Sequence, residues 1–259
     1  MASAKRARAL PGEQIVCPTA EASAQTLAAR LTAHLRQRLE LVSAVHLALS
    51  GGSSTTLLGS ALATEGHLTA LEWSRVHVWM VDERCVPDDD PKLNFNLVRN
   101  TLLARVPLPL ANLHPMPVLA DDGAARYEAD LRAALAERTE PDDGRLDAVV
   151  LGMGPDGHTA SLFPASPALD ETRRLVVLND GAHVAPPRPR MTMTFPILNR
   201  SHLIALLVTG ASKKPALAQA LANPHDLHTL PVTGIVPAPG SKQLWCLDHD
   251  AAPAGLEPA

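Results

Sequence analysis

Four short apolar runs, each ending in a turn rich in glycine, serine or charge, most constrain what this chain can fold into. Val45 to Leu49 leads into Ser50-Gly51-Gly52-Ser53-Ser54. Val76 to Val81 ends in Asp82-Glu83-Arg84. Leu146 to Leu151 enters Gly152-Met153-Gly154-Pro155-Asp156-Gly157-His158, and His202 to Val208 precedes Gly210-Ala211-Ser212-Lys213. Runs of this length with no polar alternation read as strands buried on both faces. Helical stretches separate them. Leu27, Leu31, Leu35 and Leu39 recur every four residues within Thr19–Leu39. Further helices are expected to about Leu62 and over Leu93–Leu103, Asp122–Arg138 and Ser212–Leu221. Leu175–Leu178 and Gln243–Leu247 add strands, with loop over Asp88–Pro91 and Ala185–Pro189. Strands alternating with helices predict an α/β protein with a mostly parallel sheet covered on both faces. Proline and glycine clusters are spaced as loops, so a single domain is expected over 14–249, with flexible tails at 1–13 and 250–259.

The chain has 259 residues, 46% hydrophobic and 19% charged, enough for a packed core. A net charge of −4 lacks the basic surplus of nucleic-acid binders. Three cysteines, Cys17, Cys85 and Cys246, show no CxxC spacing, which points to a reducing compartment without disulfides or a zinc cluster. No run reaches transmembrane length, and the basic stretch Met1 to Leu10 lacks the apolar core of a secretory signal. A cytoplasmic protein with no membrane or nucleic-acid partner is expected.

Ligands in parallel sheets sit outside the carboxyl ends of strands, so the four loops are expected to share one crevice. Ser50, Gly51, Gly52 and Ser53 precede a helix whose free N–H groups suit a phosphate; an ordinary capped glycine turn fits the same residues. Asp82 and Arg84 fit a surface ion pair, or a strand end where Arg84 grips phosphate through its planar fork. Asp156 and His158 share a glycine turn with Gly157, which suits acid–base chemistry at neutral pH as well as a structural hydrogen bond. No second histidine or cysteine stands at metal-ligand spacing, so no metal is expected. Lys213 in a first helical turn suits an anion or bare solvent. Arg190, entering Met191-Thr192, is a further candidate that also suits a loop-locking role. Cys85 beside Arg84 is expected to be an inert buried thiol, and His46 and His77 to be core or rim residues.

Taken in order, Leu49-Ser50-Gly51-Gly52-Ser53, Val81-Asp82-Glu83-Arg84, Gly152 through Pro164, Arg190-Met191-Thr192 and Gly210-x-x-Lys213 resemble the 6-phosphogluconolactonase family, over about residues 15–248. The resemblance implies a Rossmann-like three-layer α/β/α fold shared with amino-sugar-phosphate deaminases. It implies hydrolysis of 6-phospho-D-glucono-1,5-lactone to 6-phospho-D-gluconate in the oxidative pentose phosphate pathway, with no cofactor. His158 becomes the general base and Asp156 its orienting partner. Ser50, Gly51, Gly52, Ser53, Asp82, Arg84, Gly157, Arg190 and Lys213 become substrate- or phosphate-binding residues. The partner is a small sugar-phosphate lactone, and the assembly a monomer or weak homodimer. Leu230-Pro231-Val232-Thr233 departs from the family's L-P-A, a change that touches packing more than chemistry. Two alternatives stand beside this reading. A deaminase/isomerase of the same fold carries an acidic residue before the motif's proline, where this chain has Phe163. A non-catalytic sugar-phosphate sensor is disfavoured because the residues before the first strand read as one helix rather than a basic DNA-binding module.

Overall fold

The structure, a computed structural model, describes residues 10–137, 144–180 and 189–256. Strand β1 (Glu13–Cys17) leads into α1 (Ala20–Leu39), β2 (Val45–Leu49), α2 (Ser53–Leu62), the one-turn α3 (Glu65–Leu68) and β3 (Val76–Met80). Next come β4 (Asp82–Arg84), α4 (Asn94–Val98) continued by π-helical turns over Arg99–Leu103, β5 (Leu113–His114), α5 (Gly123–Ala136) and β6 (Ala148–Leu151). The chain closes with β7 (Val176–Asn179), β8 (Arg190–Met193), α6 (Phe195–Leu198), β9 (Leu203–Val208), α7 (Lys214–Ala222) and β10 (Lys242–Asp248).

Seven strands form the central sheet in the order β1-β10-β9-β6-β2-β3-β5, every pairing parallel. Every residue of β2, β6 and β9 is buried, as apolar runs broken only by His46 require of strands covered on both faces. Neighbouring residues of β2 point to opposite sides. On one side Leu49 meets Leu58 and Leu62 of α2 and Val98 of α4. On the other, Ala48 is level with Trp79, whose ring stacks on His114 at 3.6 Å and meets Tyr127 of α5 edge-on. The three-layer α/β/α fold with a mostly parallel sheet is thus the observed one. His46 is buried in the core beneath this stack, its Nδ1 accepting from Trp79 Nε1, and His77 lies at its rim.

Two features differ from expectation. Asp82–Arg84, Val176–Asn179 and Arg190–Met193 form a second, antiparallel sheet in the order β4-β8-β7, where the sequence pattern predicts loop for the first and third. Polar residues break their apolar pattern, so only tertiary pairing makes them strands. The chain margins also pack further than the tails set at 1–13 and 250–259. Glu13 to Cys17 pairs with β10, Leu10 is buried, and Trp245 Nε1 donates to the Pro11 carbonyl. Gly12 lies so close to Gln243 that a Cβ would stand 2.3 Å from its carbonyl oxygen. Ala251 and Ala252 are buried too, with Ala251 N–H bonded to Asp248 Oδ1. Arg138 and residues 185–188 lie outside the described residues.

Tyr127 pins α5 to the end of β3. Its hydroxyl accepts from Met80 N at 2.8 Å and lies within donating reach of the Met80 and His114 carbonyls. Replacing Tyr127 by Phe leaves those buried backbone groups short of a partner, a loss of about 1–3 kcal/mol in urea unfolding; an unchanged midpoint would contradict this role.

Candidate active site

The chain runs outward from β2 to β3 and β5, then returns to place β6 on the other side of β2. Such a reversal opens a crevice at the carboxyl ends of the two central strands. Here it holds a cavity of about 190 Å³. Ser50 N–H bonds the Val150 carbonyl, tying the loop after β2 to β6. Gly51 and Gly52 then turn into α2. A Cβ on Gly51 would lie 1.9 Å from Asn94 Oδ1, so only glycine fits there, and Gly52 has φ +104° with open space before it. The unpaired N–H groups of the first turn of α2 sit at this wall, where the helix dipole favours an anion. Ser54 Oγ reaches Thr209 Oγ1 at 3.3 Å, linking the loops after β2 and β9. The side chain of Ser53 lies outside the described residues.

Lys213 reaches the same cavity from the turn before α7. Burial lowers its pKa, while the charge of Asp156 acts in the opposite sense. Asp82 and Arg84 line the wall from β4. They do not make a surface ion pair with each other, because Asp82 is buried and Arg84 half-buried. Asp82 Oδ2 accepts from Ser161 Oγ at 2.7 Å, and its carbonyl accepts from Asn94 Nδ2. Arg84 donates from Nη1 to the Lys92 carbonyl. Burial pushes the Glu83 carboxyl up to about 7, against three backbone N–H groups that favour its charged form.

His158 enters from the glycine turn after β6. Its Nδ1 lies 2.6 Å from Asp156 Oδ1, and its backbone N–H points at the same oxygen. Burial alone would raise the Asp156 pKa, but the His158 hydrogen bond and charge hold it below the usual value. An ionised carboxylate only accepts, so Nδ1 carries the proton, and whenever the ring holds one proton Nε2 is left as acceptor. Gly154 lies directly under the pair, where a Cβ would stand 2.1 Å from His158 Nδ1. Phe163 packs against the imidazole, ring centroids 4.9 Å apart. Further along, Thr159 Oγ1 bonds the Gly152 carbonyl and Ser161 N–H bonds Thr192 Oγ1, fixing the motif between the two sheets.

The crevice therefore gathers Ser50, Gly51, Gly52, Asp82, Arg84, His158 and Lys213, with Asp156 behind the histidine. Two further expected site residues stand off the cavity wall. Gly157, at φ +81°, faces Leu230, and its carbonyl accepts from Val232 N–H; the departing L-P-V-T segment thus packs against the motif's turn. Arg190 lies opposite Arg84 in the antiparallel register and beside Cys85, a half-buried thiol whose pKa burial raises. Ser54 and Ala160, from two of the expected site segments, also reach the wall, the latter held at φ +51°, and Asn94 joins them from outside every expected site segment. Asn94 carries no local signal; only the close approach of Gly51 reveals it. Among the described residues no group of three His, Cys, Asp or Glu side chains is disposed to hold a metal ion. A larger cavity of about 680 Å³, bordered by Arg132, Arg173, Phe195 and His225, lies elsewhere.

An α/β sheet whose crevice joins a helix N-terminus to a His–Asp pair defines the class. The chain belongs to the family described as glucosamine-6-phosphate isomerases/6-phosphogluconolactonase, whose model matches residues 18–245. It is 40% identical over 215 residues to the 6-phosphogluconolactonase of Mycobacterium tuberculosis, covering 80% of this chain and 83% of that one. It is 39% identical over 214 residues to the GDH/6PGL endoplasmic bifunctional protein of Homo sapiens, covering 80% of this chain but only 26% of that protein's length. The crystal structure of 6-phosphogluconolactonase from Thermotoga maritima superposes with a TM-score of 0.75 at 26% identity, covering 91% of this chain and 100% of that one.

The low Asp156 pKa has a direct check. In a carbon-detected NMR titration its carboxyl should titrate below 3.8, and in His158→Ala it should move upward. A titration unaffected by the substitution would show that the imidazole is not the cause.

Proposed function

We propose that this chain hydrolyses 6-phospho-D-glucono-1,5-lactone to 6-phospho-D-gluconate, the second step of the oxidative pentose phosphate pathway. The observation that carries this reading is the His158–Asp156 pair on a cavity shared with Lys213, Arg84 and the start of α2. The names of the bacterial relatives support it. The phosphate lies at the Ser50–Ser53 turn, held by backbone N–H groups, Arg84 and Lys213. Asp82, an anion, faces sugar hydroxyls instead. Gly157 and Arg190 act behind the wall, one shaping the turn and the other backing Arg84.

In this mechanism Asp156 accepts the Nδ1 proton of His158 and holds the ring as the tautomer with a free Nε2. Nε2 takes a proton from water as the water oxygen bonds to the lactone carbonyl carbon. Backbone N–H groups of the glycine turn after β6 receive the negative charge on the carbonyl oxygen. The C–O ring bond then breaks, and the imidazolium returns its proton to the departing ring oxygen. An activated cyclic ester needs no covalent nucleophile. A positioned base contributes about 10²–10⁴-fold, and oxyanion donors a similar factor. The phosphate anchor holds the lactone in attack geometry. No cofactor enters. The chain works in the cytoplasm as a monomer or weak homodimer; among the described residues no helix is long and apolar enough to cross a membrane.

The test is a dehydrogenase-coupled assay on freshly made phosphorylated lactone, corrected for spontaneous hydrolysis. His158→Ala is expected to lower kcat by about 10²–10⁴-fold while 6-phosphogluconate still binds; wild-type turnover in that variant would remove His158 from the role of base. Lys213→Ala should raise KM for the phosphorylated lactone far more than for unphosphorylated gluconolactone. Equal effects on both substrates would exclude a phosphate grip by Lys213.

A further inference from the structure

We infer that Glu83, which is not part of the cavity wall, is a positioning residue that aims Arg84 and seats the glycine loop; this rests on the phosphate grip proposed above. Glu83 is 1% exposed. Its Oε1 accepts from the backbone N–H of Arg84 and of Asn94, and its Oε2 from that of Phe95, each at 2.7 Å. One carboxylate thus ties the last residue of β4 to the first turn of α4, across the loop between them.

Two parts of the cavity wall hang on that tie. The first is Arg84, whose Nη1 donates to the Lys92 carbonyl inside the same loop. Lys92 is itself turned by its N–H bond to Asp90 Oδ1 at 2.8 Å. With the loop ends held by Glu83, that carbonyl steers the guanidinium at the cavity. The second is Asn94, whose side chain donates to the Asp82 carbonyl and packs directly under Gly51. Moving the start of α4 would therefore shift the floor beneath the Ser50–Gly52 turn. Removing a carboxylate from water costs several kcal/mol unless hydrogen bonds compensate it, and a surface Ser or Asp would cap a helix without that cost. A buried glutamate here serves to bind three backbone donors from two elements at once, through short bonds to both carboxyl oxygens.

The experiment compares KM and kcat on the phosphorylated lactone and on unphosphorylated gluconolactone. The variants are Arg84→Ala, Glu83→Gln, the double variant and Asp90→Ala. Gln presents an N–H₂ to at least one of the three donors and loses the charge. Glu83→Gln is expected to raise KM for the phosphorylated lactone roughly tenfold or more. Its kcat should stay within about threefold and its action on gluconolactone should not change, a split that general loosening of the fold would not produce. Combined with Arg84→Ala it should raise KM by less than the product of the two separate effects. Asp90→Ala, at the loop's outer edge, should give a smaller rise of the same selectivity, and it decides the matter if circular dichroism shows Glu83→Gln unfolded. If Arg84→Ala itself shows no preference for the phosphorylated substrate, the phosphate-grip reading fails. If Arg84→Ala is selective while the Glu83 and Asp90 variants are neutral, or weaken both substrates alike, the positioning role is overturned.

Discussion

The parallel pairing of β2 with β6 is the constraint on which the rest of this structure depends. Leu47 to Leu49 lie level with Ala148 to Val150, so both strands end at one height. The Ser50 turn and the Gly152 turn leave from that shared edge, and the Ser50 N–H to Val150 carbonyl bond carries the pairing one residue beyond β2. An anion-favouring helix start and the His158–Asp156 pair are thereby brought together from chain segments about a hundred residues apart. Neither would form a site alone.

Around this edge the second sheet acts as a brace. Its strand β4 supplies Asp82 and Arg84 to the wall, and β8 supplies Thr192, which holds Ser161 N–H. Ser161 in turn bonds Asp82, so the histidine motif and β4 are joined by a chain of short contacts. Phe163 lies against the imidazole within the same brace, giving His158 an apolar side and leaving Asp156 as its polar partner. A carboxylate at position 163 would add a second charge beside the ring. The aromatic side chain leaves Asp156 alone to set the tautomer, which suits water attack rather than ring opening.

What was legible in the sequence follows from what local pattern can encode. Val45–Leu49 and Ala148–Leu151 are buried on both faces, so they appear as bare apolar runs. The α1 leucines show helical spacing because one face packs on the sheet. Glycine turns flag close approach, as at Gly154 beneath the His–Asp pair. Strands β4 and β8 stayed hidden because Asp82-Glu83-Arg84 is charged throughout and Arg190-Met191-Thr192 carries a single apolar residue, and their partners are distant in sequence. Strand β1 was masked by its position before a conspicuous helix. Asn94 and Glu83 matter through contacts made only after folding. Arg190 and Gly157 read as wall residues by motif, yet they stand one layer behind it.

In the proposed mechanism phosphate and lactone lie at opposite ends of one small cavity, with the carbonyl end at His158. A crystal structure with bound 6-phosphogluconate tests this most directly. The expected complex places phosphorus beside the Gly51–Gly52 amides, Arg84 and Lys213, with the C1 carboxylate within hydrogen-bond reach of His158 Nε2. A ligand bound in the reverse sense, or seated in the larger cavity near Arg173 and His225, would contradict it.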